Sequence, residues 1–170
     1  IDHEPVKEIK IYASAGVQHE WYADGEHFLI EEALRYKDEG YDAFKFRCGT
    51  DWAAAGMTFD RYIPILRRLR EAVGPDFRLM HEGIGMQGGS LGAIITEFAP
   101  VLEELGFYWF EEAFGGTDLK HIDLFLELQQ ALPTVKVSGG ERFHERFEAQ
   151  EWLDRRALEI VQTDCNVTGL

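Results

Sequence analysis

The chain has 170 residues, 45% of them apolar and 28% charged, an ordinary balance for a globular domain that buries a core. Seventeen basic against 31 acidic residues leave a formal charge of −14, and no basic stripe gathers the cations, so nucleic acid is not an expected partner. No apolar run nears the roughly 20 residues that span a bilayer, so no membrane partner is expected, and the isolated Cys48 and Cys165 suggest buried packing in a reducing, cytoplasmic compartment.

The chain opens Ile-Asp-His-Glu-Pro, without Met or a basic-then-apolar signal segment, which reads as the continuation of something upstream. A first strand is expected over Glu8–Ala13, and a helix over Glu26–Glu39, where Phe28, Ala33, Leu34 and Tyr36 recur near helical spacing before Gly40. A second strand, Ala43–Arg47, precedes a helix over Phe59–Val73 with Thr58 as its cap and Gly74-Pro75 as its stop. Strand Phe77–Glu82 is followed by glycines Gly85, Gly88 and Gly89, read as a mobile loop, and then by a helix from Ser90 to Leu105. Strand Phe107–Glu111 leads to a helix that starts at Thr117 or Asp118 and runs to Leu132. Strand Val135–Ser138, a helix over Glu145–Arg155 and strand Leu158–Thr163 complete the series.

Strict alternation of strand and helix predicts parallel strands joined by right-handed crossovers, either a doubly wound sheet or an eight-stranded barrel. No Gly-x-Gly-x-x-Gly follows the first strand, which weakens a dinucleotide fold. A barrel places polar functional residues at the C-terminal ends of several strands, and this chain has them there. The fold class is therefore read as α/β, of the (β/α)8 TIM-barrel type, with about the first six βα units within residues 1–170. Six strands alone would leave two open edges, so two further units are expected outside this partial barrel domain.

Glu82, Glu111 and Glu141 each stand at or just past a strand end, 29 and 30 residues apart, one βα unit each time. In a barrel that register sets three carboxylates at one mouth, where a hard divalent cation with oxygen ligands would relieve their repulsion. The alternative is three ordinary surface acids at strand-to-loop junctions. Lys45 and Arg47, two apart on one strand, share a face. With Phe44 and Phe46 against the helices, both cations face the barrel axis, where a carboxylate substrate would be their partner; outward-pointing surface pairs are the alternative. Asp164, at the end of the sixth strand, is either the orienting carboxylate of an acid–base dyad or a cap. His81 is expected on the face opposite Glu82, in a packing role, and Gly139-Gly140 marks close backbone approach.

These segments together resemble the barrel domain of the enolase superfamily, in its mandelate racemase/muconate lactonizing enzyme-like branch. The resemblance is carried by Ala43-Phe-Lys-Phe-Arg, Arg78-Leu-Met-His-Glu, Phe107-Tyr-Trp-Phe-Glu-Glu-Ala-Phe, Gly139-Gly-Glu and Val161-Gln-Thr-Asp-Cys-Asn-Val-Thr-Gly. It implies Mg²⁺ as cofactor, held by Glu82, Glu111 and Glu141. It implies that Lys45 supports a substrate carboxylate, that Arg47 replaces an acid/base lysine, and that Asp164 belongs to an Asp–His dyad whose His lies on a further strand. It also implies an α+β capping domain, a small carboxylate substrate and a homo-oligomer. Two departures stand out: the third-strand ligand is Glu82 where Asp is usual, and Ile84 stands where Asn is common.

The implied chemistry is abstraction of a proton beside a carboxylate through an enediolate. An arginine keeps its proton to above about pH 12, so Arg47 is a poor second base. That favours an acid-sugar dehydratase over a racemase or epimerase. A non-catalytic barrel that binds a ligand or serves assembly is the reading from another class.

Overall fold

The computed structural model describes residues 8–16, 27–47, 52, 56–84, 86 and 90–168. Cys48 and the glycines Gly85, Gly88 and Gly89, for which burial and a mobile loop were expected, lie outside the described residues. Six strands form one parallel sheet: β1 (Ala13–Ala15), β2 (Ala43–Arg47), β3 (Arg78–Glu82), β4 (Trp109–Glu111), β5 (Lys136–Gly139) and β6 (Ile160–Val161). Their spatial order is their chain order, β1-β2-β3-β4-β5-β6. A doubly wound sheet reverses direction at a switch point, so this unbroken order selects the barrel type.

Helices fill each gap between strands: α1 (His27–Asp38), α2 (Phe59–Val73), α3 (residues 91–104), α4 (Ile122–Ala131) and α5 (Arg146–Asp154), with a short α6 (Cys165–Thr168) after β6. Thr58 opens α2 through its carbonyl, which accepts from the amides of Arg61 and Tyr62; its side chain makes no cap bond. Ser90 does cap α3, its hydroxyl accepting from the Ala93 amide at 3.2 Å. Asp118 rather than Thr117 starts the next run, accepting from the Lys120 amide ahead of a 3₁₀ turn, Leu119–His121. Inside α3, Ile94–Phe98 widens to a π-helix that sets Phe98 against the rings of Tyr62, His81 and Phe110. Nothing in the residue pattern announced that bulge.

The main core lies between sheet and helices. Phe44, Phe46, Leu79, Phe110 and Val137 point to it and meet Leu66, Leu69, Phe98, Phe125 and Trp152. The opposite face of the sheet carries a much smaller apolar cluster, Ala43, Met80 and Trp109 with Ile160, and above it the polar side chains of the strand ends.

Two expectations are corrected. The first strand is Ala13–Ala15 and not Glu8–Ala13; Ile9 and Ile11 are exposed. The alternating apolar residues had the stronger strand propensity, but the small ones fit beside β2. At Gly16, just past β1, a Cβ would lie 2.7 Å from Phe46 Cβ, a clash only glycine avoids. Cys165 is exposed and not buried, because it opens α6 beyond the end of β6.

Candidate active-site mouth of the barrel

Alternation along β2 decides where its cations go. Phe44 and Phe46 are buried in the helix-facing core, so Lys45 and Arg47 project from the other face. In the β2–β3–β4 ladder Arg47 pairs with Glu82 and Glu82 with Glu111, which lines the three up at the C-terminal edge. Lys45 Nζ donates to Glu111 Oε1 at 2.8 Å and lies 3.3 Å from Glu82 Oε2. Arg47 Nη1 stands 3.6 Å from Glu82 Oε1. Glu111 Oε2 accepts from the indole N–H of Trp109 at 3.1 Å, so both of its oxygens are held.

Lys45 is buried, and burial by itself lowers an ammonium pKa. The Glu111 hydrogen bond and the charges of Glu111, Glu82 and Tyr12 outweigh that, and the net shift is upward. Lys45 is therefore a fixed cation suited to stabilising negative charge and unsuited to act as a base at neutral pH.

Glu112 is a further buried acid beside the site that reasoning from the sequence passed over. It leaves β4 with φ 48°, in the left-handed region, and is fully buried. Its Oε1 accepts from the Gly140 amide at 2.8 Å, and its own amide donates to the Ser138 carbonyl at 3.0 Å. Its Oε2 is buried without a hydrogen-bond partner. Burial pushes its carboxyl up to about 7; the Gly140 amide opposes this, while the charges of Glu141 and Glu111 add to it. The only sequence signal was a second acid directly behind the expected ligand.

Six site residues were expected, and the structure gathers four of them: Lys45, Arg47, Glu82 and Glu111. Glu141 lies two residues past β5, about half exposed, with Oε1 4.0 Å from Arg142 Nε. Asp164 is exposed, and its Oδ1 accepts from the Asn166 amide at 2.8 Å, capping α6. Among the described residues no three His, Cys, Asp or Glu side chains converge on one metal-sized point. Lys45 lies between Glu82 and Glu111 and Arg142 sits beside Glu141, so each of these acids is drawn to the nearest protein cation. His81 takes the packing role: it is buried on the helix side, 2.8 Å from the Tyr62 hydroxyl. The close approach expected at Gly139-Gly140 is present, since a Cβ on Gly139 would stand 3.0 Å from Glu112 Oε1.

Comparison with known proteins agrees with this architecture. An arabinonate dehydratase of Saccharolobus solfataricus is 31% identical over 163 residues, 96% of this chain and 40% of the relative. A D-galactarolactone cycloisomerase of Agrobacterium fabrum is 29% identical over 142 residues, 81% of this chain and 33% of the relative. The crystal structure of the 3,6-anhydro-D-galactonate cycloisomerase from Zobellia galactanivorans superposes with a TM-score of 0.74 at 27% identity, over 95% of this chain and 40% of that one. The chain thus spans two fifths or less of the length of these relatives. Residues 29–169 match the model of the enolase C-terminal domain-like family, and the chain belongs to that family.

Proposed function

We propose that the protein carrying this chain removes the proton beside the carboxylate of a sugar acid and expels the neighbouring hydroxyl as water. The observation that carries this reading is Lys45, a buried and firmly protonated ammonium at the barrel mouth, flanked by Glu111 at 2.8 Å and Glu82 at 3.3 Å. Removing such a proton places a second negative charge on the substrate carboxylate. A preorganised cation meets that charge as it develops and stabilises the transition state more than the ground state.

The donor set suits Mg²⁺. Glu82 and Glu111 offer hard oxygens from adjacent strands in register, and Glu141 sits near enough to raise the carboxyl of Glu112. Three acids (Glu82, Glu111, Glu141) meet three cations (Lys45, Arg47, Arg142) here, and a fourth acid, Glu112, keeps a buried Oε2 without a hydrogen-bond partner. Glu82, Glu111 and Glu141 would hold the ion. When bound, the ion would add Lewis-acid stabilisation of the substrate carboxylate.

Arg47 would bind the substrate or the leaving hydroxyl through its guanidinium, a poor general base, so the base must be another group. Asp164 is proposed to orient a histidine in that role. The relatives' names include dehydration, and they equally support a second reading, cycloisomerisation of a sugar lactone or anhydro acid, which would begin with the same proton removal. A homo-oligomer acting in the cytoplasm is part of the proposal.

The test is incubation of the intact protein with Mg²⁺ and a panel of aldonic and aldaric acids in D₂O. A dehydratase yields a 2-keto-3-deoxy acid lighter than its substrate by one water, and a cycloisomerase opens the ring of a lactone or anhydro acid to a product of unchanged composition. Glu111→Gln should weaken Mg²⁺ binding and abolish both exchange and product while the fold persists. Exchange at the wild-type rate in that variant would refute the site assignment.

A further inference from the structure

We propose that Glu112 is a positioning residue whose buried carboxylate, by accepting the Gly140 amide, fixes the turn that carries Glu141 and so sets where Glu141 stands relative to Glu111. The proposal rests on the reading above, in which Glu141 is a metal ligand. Glu112 bonds the end of β5 on two sides. Its amide donates to the Ser138 carbonyl at 3.0 Å and its Oε1 accepts from Gly140 at 2.8 Å, so one residue brackets Gly139 and ends one position short of Glu141.

The backbone is shaped around this carboxylate. On Gly139 a Cβ would lie 3.0 Å from Glu112 Oε1 and 2.9 Å from Thr117 Cγ2, so any larger residue displaces the carboxylate or the strand. Gly140 has φ +109°, which side-chain-bearing residues rarely adopt, and a Cβ there would meet the Phe143 ring at 2.8 Å. Glu112 itself holds φ 48°. A non-glycine residue keeps such a conformation only where its surroundings over-determine it. A strained, buried acid clasping the amide next to a ligand is the arrangement that supports a metal ligand from behind, where loss of the support typically costs about 10–100-fold in metal affinity.

The experiment measures Mg²⁺ affinity by calorimetry in the intact protein and in Glu112→Met, Glu112→Gln and Glu141→Gln, with melting in the absence of metal as an independent report on the fold. Met fills the space of Glu without an acceptor; Gln keeps an oxygen for the Gly140 amide. Glu112→Met should weaken Mg²⁺ binding about 10–100-fold, and Glu112→Gln should stay within about threefold of the wild type, a rescue that a space-filling role alone would not produce. If Glu112→Met does not fold, Glu112→Asp, one methylene short of the amide, takes its place with the same expectation. Unchanged affinity in the Met variant, or an equal loss in the Gln variant, overturns the inference and leaves the metal reading standing. Unchanged affinity in Glu141→Gln overturns the metal reading, and this inference with it.

Discussion

Lys45 on β2 and His81 on β3 are both buried bases, and the sheet sends them to opposite environments. Lys45 points to the barrel mouth, where two carboxylates keep it charged. His81, the register partner of Phe46, points to the helices and lies among the rings of Phe46, Tyr62, Phe98, Phe107 and Phe110, with no charged group among them. Burial there lowers its pKa from 6.5 to about 3, so the folded protein holds it neutral. Because the folded value lies below the unfolded one, stability is complete above about pH 6.5 and drains away as pH falls toward 3. Between pH 7 and pH 5 this linkage should cost about 2 kcal/mol. Urea midpoints at the two pH values should therefore fall further for the wild type than for His81→Gln; equal falls would show that His81 is not held neutral. The side of the sheet on which each base lands was legible from the Phe-Lys-Phe-Arg and His-Glu alternation. The strained backbone of Glu112 was not, because a positive φ on a glutamate is imposed by β5 and by the glycines packed on it.

At the level of elements, β2 and α2 were legible to the residue. Phe44 and Phe46 fix the face of β2, and polar Thr58 and Gly74 bracket a run with a strong apolar stripe. The other strands were read one or more residues too long at their starts, because apolar character begins before the ladder does. What no periodicity could show is how the N-terminal ends of the strands are tied together. Arg70, in the last turn of α2, donates to the carbonyls of Gly74, Phe77, Leu105 and Gly106 at 2.7–3.1 Å, joining the start of β3 to the end of α3. Burial pulls its pKa down from the usual arginine value. A lysine is a point donor and cannot fork across four carbonyls. Arg70→Lys should lower unfolding free energy by about 2 kcal/mol, the scale of losing one or two charge-assisted bonds. Denaturant titration checks this, and a loss within ±0.5 kcal/mol, the scale of an indifferent surface change, would mean that the carbonyls are satisfied without the fork. Because the tie sits at the opposite end of the sheet from Glu82 and Glu111, Mg²⁺ affinity should be unchanged.

For the whole molecule, the order of strands bears out the barrel type read from the polar residues at the strand ends, and it also leaves two edges. Each of β1 and β6 pairs on one side only among the described residues. Among the described residues the inward face beneath the mouth carries a small apolar cluster, Ala43, Met80 and Trp109 with Ile160. Beside it Tyr12, Tyr108 and Arg78 line an open cavity of about 310 Å³. A parallel sheet is stable when both faces and both edges are covered. Here the helix-side face is covered by a core of large aromatic residues, while beside the small barrel-side cluster Ile11, Tyr12 and Tyr108 stay exposed. Residues 1–170 produced alone should therefore self-associate, by pairing edges or by burying the exposed Ile11, Tyr12 and Tyr108 against another copy. Sedimentation velocity should show concentration-dependent oligomers, and a dye that fluoresces on apolar surface should bind. A monodisperse monomer with one sharp unfolding transition would show that six βα units already make a closed folding unit, and that the rest of the barrel is needed for chemistry and not for the fold.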